Sequence, residues 1–86
     1  MEKENLCVGT QLTYTTNRLW NNGFKDIKQR VKRIIEITEL FDNRFHFKTL
    51  DILEASNVPP KTAPCCPTGG IFYRAMNRLD LRFYND

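Results

Sequence analysis

Nucleophilic chemistry needs an oxygen or sulfur beside a base, and this chain offers few of either. It has one serine, Ser56, one histidine, His46, and three cysteines, Cys7, Cys65 and Cys66. A thiolate at Cys65 or Cys66 with His46 as its base is sound chemistry, but no spacing in the sequence brings them together. The three cysteines and His46 are acceptable zinc-ligand types. Structural zinc sites, however, draw on pairs two to four residues apart, and adjacent cysteines point away from one another. Ten acidic residues are scattered among thirteen basic ones, which reads as surface pairing and not as two carboxylates held for acid–base work. Thr68-Gly69-Gly70 ahead of a helix would offer backbone N–H groups to an anion. It lacks the Gly-Lys-Ser/Thr of a phosphate-binding loop, and its glycines read as a flexible entry into that helix. No catalytic residue, metal ligand or cofactor is therefore expected, and a binding module is favoured over an enzyme.

The binding chemistry lies elsewhere. Lys25, Lys28, Arg30, Lys32 and Arg33 cluster against the single acid Asp26. If the segment enters a strand, Lys32 and Arg33 point to opposite faces, so only part of the cluster forms one patch. A row of cations on a sheet edge discourages edge-to-edge association and can also meet phosphates. Aromatic residues lie close by: Trp20 and Phe24 beside Lys25 and Lys28, Phe45 and Phe47 beside Arg44 and Lys48, Tyr73 beside Arg74. Rings that stack on bases and cations that meet phosphates are what hold single-stranded nucleic acid. Phe45 and Phe47, which share an apolar face with Ile35 and Ile37, are assigned to the core. Trp20, next to a turn, is the stacking candidate. The nucleic-acid-binding set is Trp20, Lys25, Lys28, Arg30, Lys32, Arg74 and Arg78. A second set, Pro59, Pro60, Lys61 and Pro64, belongs to a proline-rich loop over residues 53 to 70, the natural place for contact with a protein.

Those residues must be positioned by strands. Val31 to Leu53 reads as one long hairpin with a three-residue loop at Phe41-Asp42-Asn43. In that register Ile37 faces Phe47, Ile34 faces Leu50, Val31 faces Leu53, Glu36 faces Lys48, Arg33 faces Asp51 and His46 faces Thr38. Apolar residues meet apolar ones and acids meet bases. A two-residue loop would set Ile37 against Lys48. A helix from Ile27 to Phe41 is the competing period, with Asp26 and Gln29 as a capping box. The β-branched run Val31, Ile34, Ile35, Ile37 and Thr38 argues for the strand.

Around the hairpin, residues 8 to 16 alternate as a half-buried strand, with Val8, Leu12 and Tyr14 on one side. Asn22-Gly23 is a strong turn signal. All four prolines fall in the stretch after the hairpin, which excludes a helix or a central strand there. Phe72, Ala75, Met76 and Leu79 recur at helical spacing, which would give Arg74 and Arg78 a shared outer face, and Leu79, Leu81 and Phe83 then alternate as a last strand. The expected fold is mainly β. It is a small, strongly bent antiparallel sheet, or a partly open barrel similar in outline to SH3-like barrels, of four to five strands with one short C-terminal helix.

Composition sets the outer bounds. Eighty-six residues make a single domain, 1–86, and a hydrophobic share of 41% with a charged share of 27% is that of an ordinary globular chain. The net charge of +3 argues against a protein that imitates DNA by its own negative charge and permits an acidic partner. No apolar run is long enough to span a membrane, and the N-terminus does not resemble a secretory signal. A cytoplasmic protein with reduced thiols and no membrane partner is expected. Two readings of function follow. One is a non-catalytic module acting through a basic edge on nucleic acid or on a nucleic-acid-associated protein. The alternative is a protein-binding inhibitor or accessory factor of the phage or mobile-element type, using the proline-rich loop and a sheet edge. Open edges would also let two copies pair as a homodimer.

Overall fold

Residues 26–40 form one uninterrupted strand, as their β-branched composition requires, and the helical alternative is not adopted. The computed structural model describes residues 2–64 and 66–84. The strands are β1 (Gln11–Asn21), β2 (Asp26–Leu40), β3 (Arg44–Ser56), β4 (Thr68–Phe72) and β5 (Asp80–Phe83). They form one antiparallel sheet in the order β4-β3-β2-β1-β5. The outermost strands, β4 and β5, do not pair with each other, so the sheet stays open and no barrel closes. A single 3₁₀ turn (Lys3–Asn5) and a short 3₁₀ helix (Tyr73–Arg78) complete the described elements.

The turns fall where the sequence signals them. Asn22 to Lys25 closes β1 onto β2 with a backbone bond of 3.2 Å, and Gly23 takes the positive φ of +99° that favours glycine. Phe41 lies opposite Arg44, its N–H donating to the Arg44 carbonyl at 2.8 Å, so β2 turns into β3 through the two residues Asp42-Asn43 and not through the expected three-residue loop.

The hairpin register agrees with expectation from Ile37 to Ile35 and departs from it on both sides. Ile37 faces Phe47, and Glu36 faces Lys48 with an ion-pair distance of 3.9 Å. Beyond Ile35, however, Ile34 faces Asp51, Arg33 faces Ile52 and Val31 faces Ala55. The expected pairs Ile34–Leu50, Arg33–Asp51 and Val31–Leu53 are not formed. The cause is two β-bulges in β3, at Leu50 and Leu53, each of which adds an unpaired residue and slips every later pair by one. A third bulge, at Thr38 in β2, moves His46 opposite Glu39 instead of Thr38. Bulges of this kind bend and twist long strands.

Four other boundaries differ from the sequence reading. The first strand begins at Gln11 and not at residue 8, because Cys7 to Thr10 form a turn with Gly9 at φ +93°. The proline-rich connection is shorter than 53 to 70: β3 runs to Ser56 and β4 takes up Thr68 onward. Gly69 and Gly70 are strand residues opposite Phe47 and His46, not the entry to a helix, so the anion-binding reading of Thr68-Gly69-Gly70 does not hold. A Cβ on Gly69 would come within 2.8 Å of the Phe47 ring, so glycine is what lets β4 pack there. Last, the helix is 3₁₀, which repeats every three residues. Arg74 and Arg78, four apart, therefore do not share a face.

The main core cluster occupies one side of the sheet, while Ile34, buried on the other, lies outside it. Leu12, Ile35, Ile37, Phe45, Phe47 and Ile71 pack together, closed over by Leu6 and by Met76 of the 3₁₀ helix. Burying each such side chain contributes about 1.5–3 kcal/mol. Phe45 and Phe47 are core residues, as expected. This core serves the end of the sheet where all five strands meet. Beyond it β1, β2 and β3 continue as a three-stranded ribbon, which accounts for the elongated 45 × 23 × 21 Å shape.

Candidate functional site

Strand alternation sorts the basic cluster into two groups. β2 pairs with β1 without a bulge from Asp26 to Glu36, so even and odd residues lie on opposite faces throughout. The odd face carries Val31, Ile35 and Ile37, all buried. The even face carries Lys28, Arg30 and Lys32 in a row, spaced roughly 6.6 Å apart along the strand. Lys28 and Arg30 are exposed and Lys32 is half-buried. Their cross-strand neighbours are Leu19, Asn17 and Thr15 on β1, and on β3 Ser56 beside Arg30 and Glu54 beside Lys32. Lys25 lies in the exposed turn at the end of this ribbon, next to Phe24, which is 95% exposed.

The other predicted residues are not brought to that row. Trp20 pairs with Ile27 and so lies on the odd face, half-buried, with its indole N–H donating to the Asn57 carbonyl at 2.7 Å. Arg74 stacks on Phe72 at 5.2 Å, close to the β2–β3 turn at the far end of the sheet. Arg78 closes the 3₁₀ helix and is exposed. The basic residues thus form one row of three plus Lys25, with Arg74 and Arg78 separate from it.

Arg33 stands apart. It lies on the odd face between Val31 and Ile35 and is only 8% exposed. Its guanidinium sits 4.6 Å from the Tyr14 ring centroid and donates one hydrogen bond, from Nη2 to the Thr16 hydroxyl at 3.3 Å. Its Nε has no partner, and among the described residues no carboxylate forms an ion pair with it. Burying a cation costs several kcal/mol even after relaxation. The ring offsets about 0.5–2 kcal/mol and the hydrogen bond about 1.5–3 kcal/mol, so the side chain is held at little gain to the fold. It lines an open cleft of about 590 Å³ between the odd face, β4 and the loop residues Thr62, Ala63, Pro64, Cys66 and Pro67. The loop is tied down by the Gln29 side chain donating to the Pro64 carbonyl at 3.3 Å and by the Thr49 N–H donating to the Pro67 carbonyl at 2.7 Å.

A second surface runs along β3. β4 covers this strand from Arg44 to Lys48 and the Pro67 carbonyl takes the Thr49 N–H, so that among the described residues its outer edge has no strand partner from Leu50 onward. Leu50, Ile52 and Leu53 are exposed there. Leu50 and Ile52 line a shallow groove of about 440 Å³ with Ala63, Pro64 and Pro67. Of the expected protein-binding residues, Pro64 belongs to this groove. Pro59, Pro60 and Lys61 form a turn upstream of it, with the Thr62 N–H donating to the Pro59 carbonyl at 3.3 Å and Lys61 at φ +62°.

Residues with catalytic potential are dispersed. His46 and Ser56 are on the same strand ten residues apart, a separation of roughly 30 Å, and His46 packs on the Phe41 ring at 4.6 Å. Cys7 shares a 3.1 Å contact with the Thr10 hydroxyl. Cys65, the alternative to Cys66 as a nucleophile and one of the candidate zinc-ligand types, lies outside the described residues. Among the described residues no three His, Cys, Asp or Glu side chains converge on a metal position, and no helix is long and apolar enough to cross a membrane.

Sequence reasoning missed two of these features. The expected register sets Arg33 opposite Asp51, although its odd-numbered place between Val31 and Ile35 already puts it on the buried face. The exposed Leu50, Ile52 and Leu53 follow from the bulges, and the signal was the run Leu50-Asp51-Ile52-Leu53, which breaks the two-residue alternation. Comparison of the chain with protein-family models, curated proteins and solved structures gave no match.

Proposed function

We propose that this protein is a non-catalytic binding module that grips nucleic acid, alone or already carrying a protein, through the even face of β2. The observation that carries the reading is the row Lys28, Arg30 and Lys32 on one face of a projecting ribbon. Cations at regular spacing on a rigid strand neutralise successive phosphates and release condensed counterions. The ribbon ends in Lys25 and in Phe24, whose ring is almost wholly free of protein contact, and an apolar tip on a basic arm can enter between stacked bases. A cytoplasmic setting, with Cys7 and Cys66 as free thiols, belongs to the same reading.

Fluorescence anisotropy with labelled single- and double-stranded oligonucleotides, titrated over salt, tests it. Affinity should fall steeply with salt, and the double variant Lys28→Glu/Lys32→Glu should lower the log–log slope by about 2 for duplex DNA. No binding at low salt would refute the proposal.

A second reading has its own support. The uncovered edge of β3 with Leu50, Ile52 and Leu53 beside Pro64 and Pro67 is suited to a protein partner that adds a strand and buries those side chains. This would be an inhibitor or accessory factor of the phage or mobile-element type, or a second copy of the chain across a two-fold axis. Leu53→Lys would abolish such an interaction and leave oligonucleotide binding unchanged. Sedimentation of the protein alone tests the homodimer arrangement.

A further inference from the structure

We propose that the cleft beneath Thr62, Pro64 and Pro67 is a binding site for a phosphate monoester, anchored by Arg33. This site is on the opposite face from the Lys28–Lys32 row and does not depend on it. Three observations carry the assignment. The first is that a charged side chain more than nine-tenths buried lines the cleft with its Nε unpartnered and with no carboxylate beside it among the described residues. Buried charges in proteins are normally paired, and this one has no paired carboxylate among the described residues.

The second is the composition of the lining. Arg18 joins Arg33, the hydroxyls of Thr16, Thr62 and Thr68 add neutral hydrogen-bonding groups, and no acidic residue takes part. Two cations without an acid suit a ligand group carrying close to two negative charges and three acceptor oxygens, which describes a phosphate monoester better than a carboxylate. The third is geometry. The Tyr14 ring holds the guanidinium from one side and the Thr16 hydroxyl accepts from Nη2, which fixes the fork before a ligand arrives. The cleft, about 590 Å³, falls in the range that accommodates ligands the size of a nucleotide. Tyr14 and Phe47, in edge-to-face contact at 6.1 Å, form its apolar wall.

The shared chemistry has two sources, a free nucleoside monophosphate or the 5′-phosphorylated end of a strand, and the experiment separates them. Amide chemical shifts of the intact protein are followed during titration with AMP, adenosine and citrate, and with one oligonucleotide carrying either a 5′-phosphate or a 5′-hydroxyl. AMP is expected to shift the amides of Tyr14, Thr16, Arg33 and Gly69 and to bind at least tenfold more tightly than adenosine or citrate. Arg33→Met should abolish that preference while leaving the melting temperature unchanged or raised. Thr16→Val should weaken AMP several-fold, providing a check that does not depend on altering the arginine. A 5′-phosphate preference that disappears in Arg33→Met assigns the site to strand ends, and its absence alongside AMP binding assigns it to a free ligand. Lys28→Glu/Lys32→Glu should leave AMP binding intact, so this site stands or falls separately from the basic row. Equal binding of AMP and adenosine, stronger binding of citrate, or shifts confined to the even face would overturn the proposal.

Discussion

Arg33 and Tyr14 face each other across the β1–β2 ladder, with the guanidinium carbon 4.6 Å from the ring centroid. The pair sits on the face that buries Val31 and Ile35, where an aliphatic residue would complete the alternation of β2. An arginine in that place adds little to the fold. Natural chains keep such residues where a site requires them.

The first prediction follows from this. Replacing Arg33 by methionine keeps most of the stem's packing and removes a buried, unpaired charge, so stability in urea should be unchanged or higher by about 1–4 kcal/mol. Arg33→Ala should be lower than wild type because the aliphatic stem is lost as well. A large loss in Arg33→Met would mean that the guanidinium is structural.

Gly69 should be intolerant. A methyl group there would press on the Phe47 ring at 2.8 Å, and overpacking of a well-filled site costs about 1–3 kcal/mol. Gly70→Ala should cost less, since the nearest atom is on the half-exposed His46 ring at 3.1 Å, which can turn aside. Urea denaturation of the two variants gives the comparison.

How far the sequence revealed this fold depends on whether local pairing was regular. From Ile37 to Ile35, where pairing is regular, Ile37–Phe47 and Glu36–Lys48 could be read directly from residue chemistry. Past Ile35 the bulges at Leu50 and Leu53 turn the chain without any proline or glycine to announce them, and every pair read from simple alternation is displaced. Gly69 and Gly70 were misread for a related reason. Glycine signals freedom in a sequence, whereas here it permits close approach to an aromatic ring within a strand. The separation of Lys32 from Arg33 was legible because it depends only on alternation within one strand. Trp20 was assigned from its place beside a turn, and its tie to Asn57 is a contact 37 residues distant in the chain.

Asn57 ties the ribbon to the proline-rich loop. It sits at φ +58°, its side chain donates to the Lys28 carbonyl at 3.0 Å, and its own carbonyl accepts from the Trp20 indole. Asn57→Ala should lose about 1–3 kcal/mol, combining the left-handed backbone penalty with the missing hydrogen bond. Asn57→Gly should lose less, because glycine takes that conformation freely. Trp20 fluorescence should become more accessible to a quencher in the alanine variant.

Glu54 is the cross-strand neighbour of Lys32 and opposes the charge of the basic row. Glu54→Gln should tighten oligonucleotide binding several-fold at low salt, and the gain should shrink as salt screens it. The folded stability should change by no more than about 0.5 kcal/mol, as is usual for an exposed position. An unchanged affinity would separate Lys32 from the interface.

The most direct test is amide chemical-shift mapping of the protein during titration with a short oligonucleotide in low salt. The account predicts that the largest changes fall on Lys25, Lys28, Arg30 and Lys32 and on their β1 neighbours Asn17 and Leu19. Changes confined to Leu50, Ile52 and Leu53, or none at all, would contradict it.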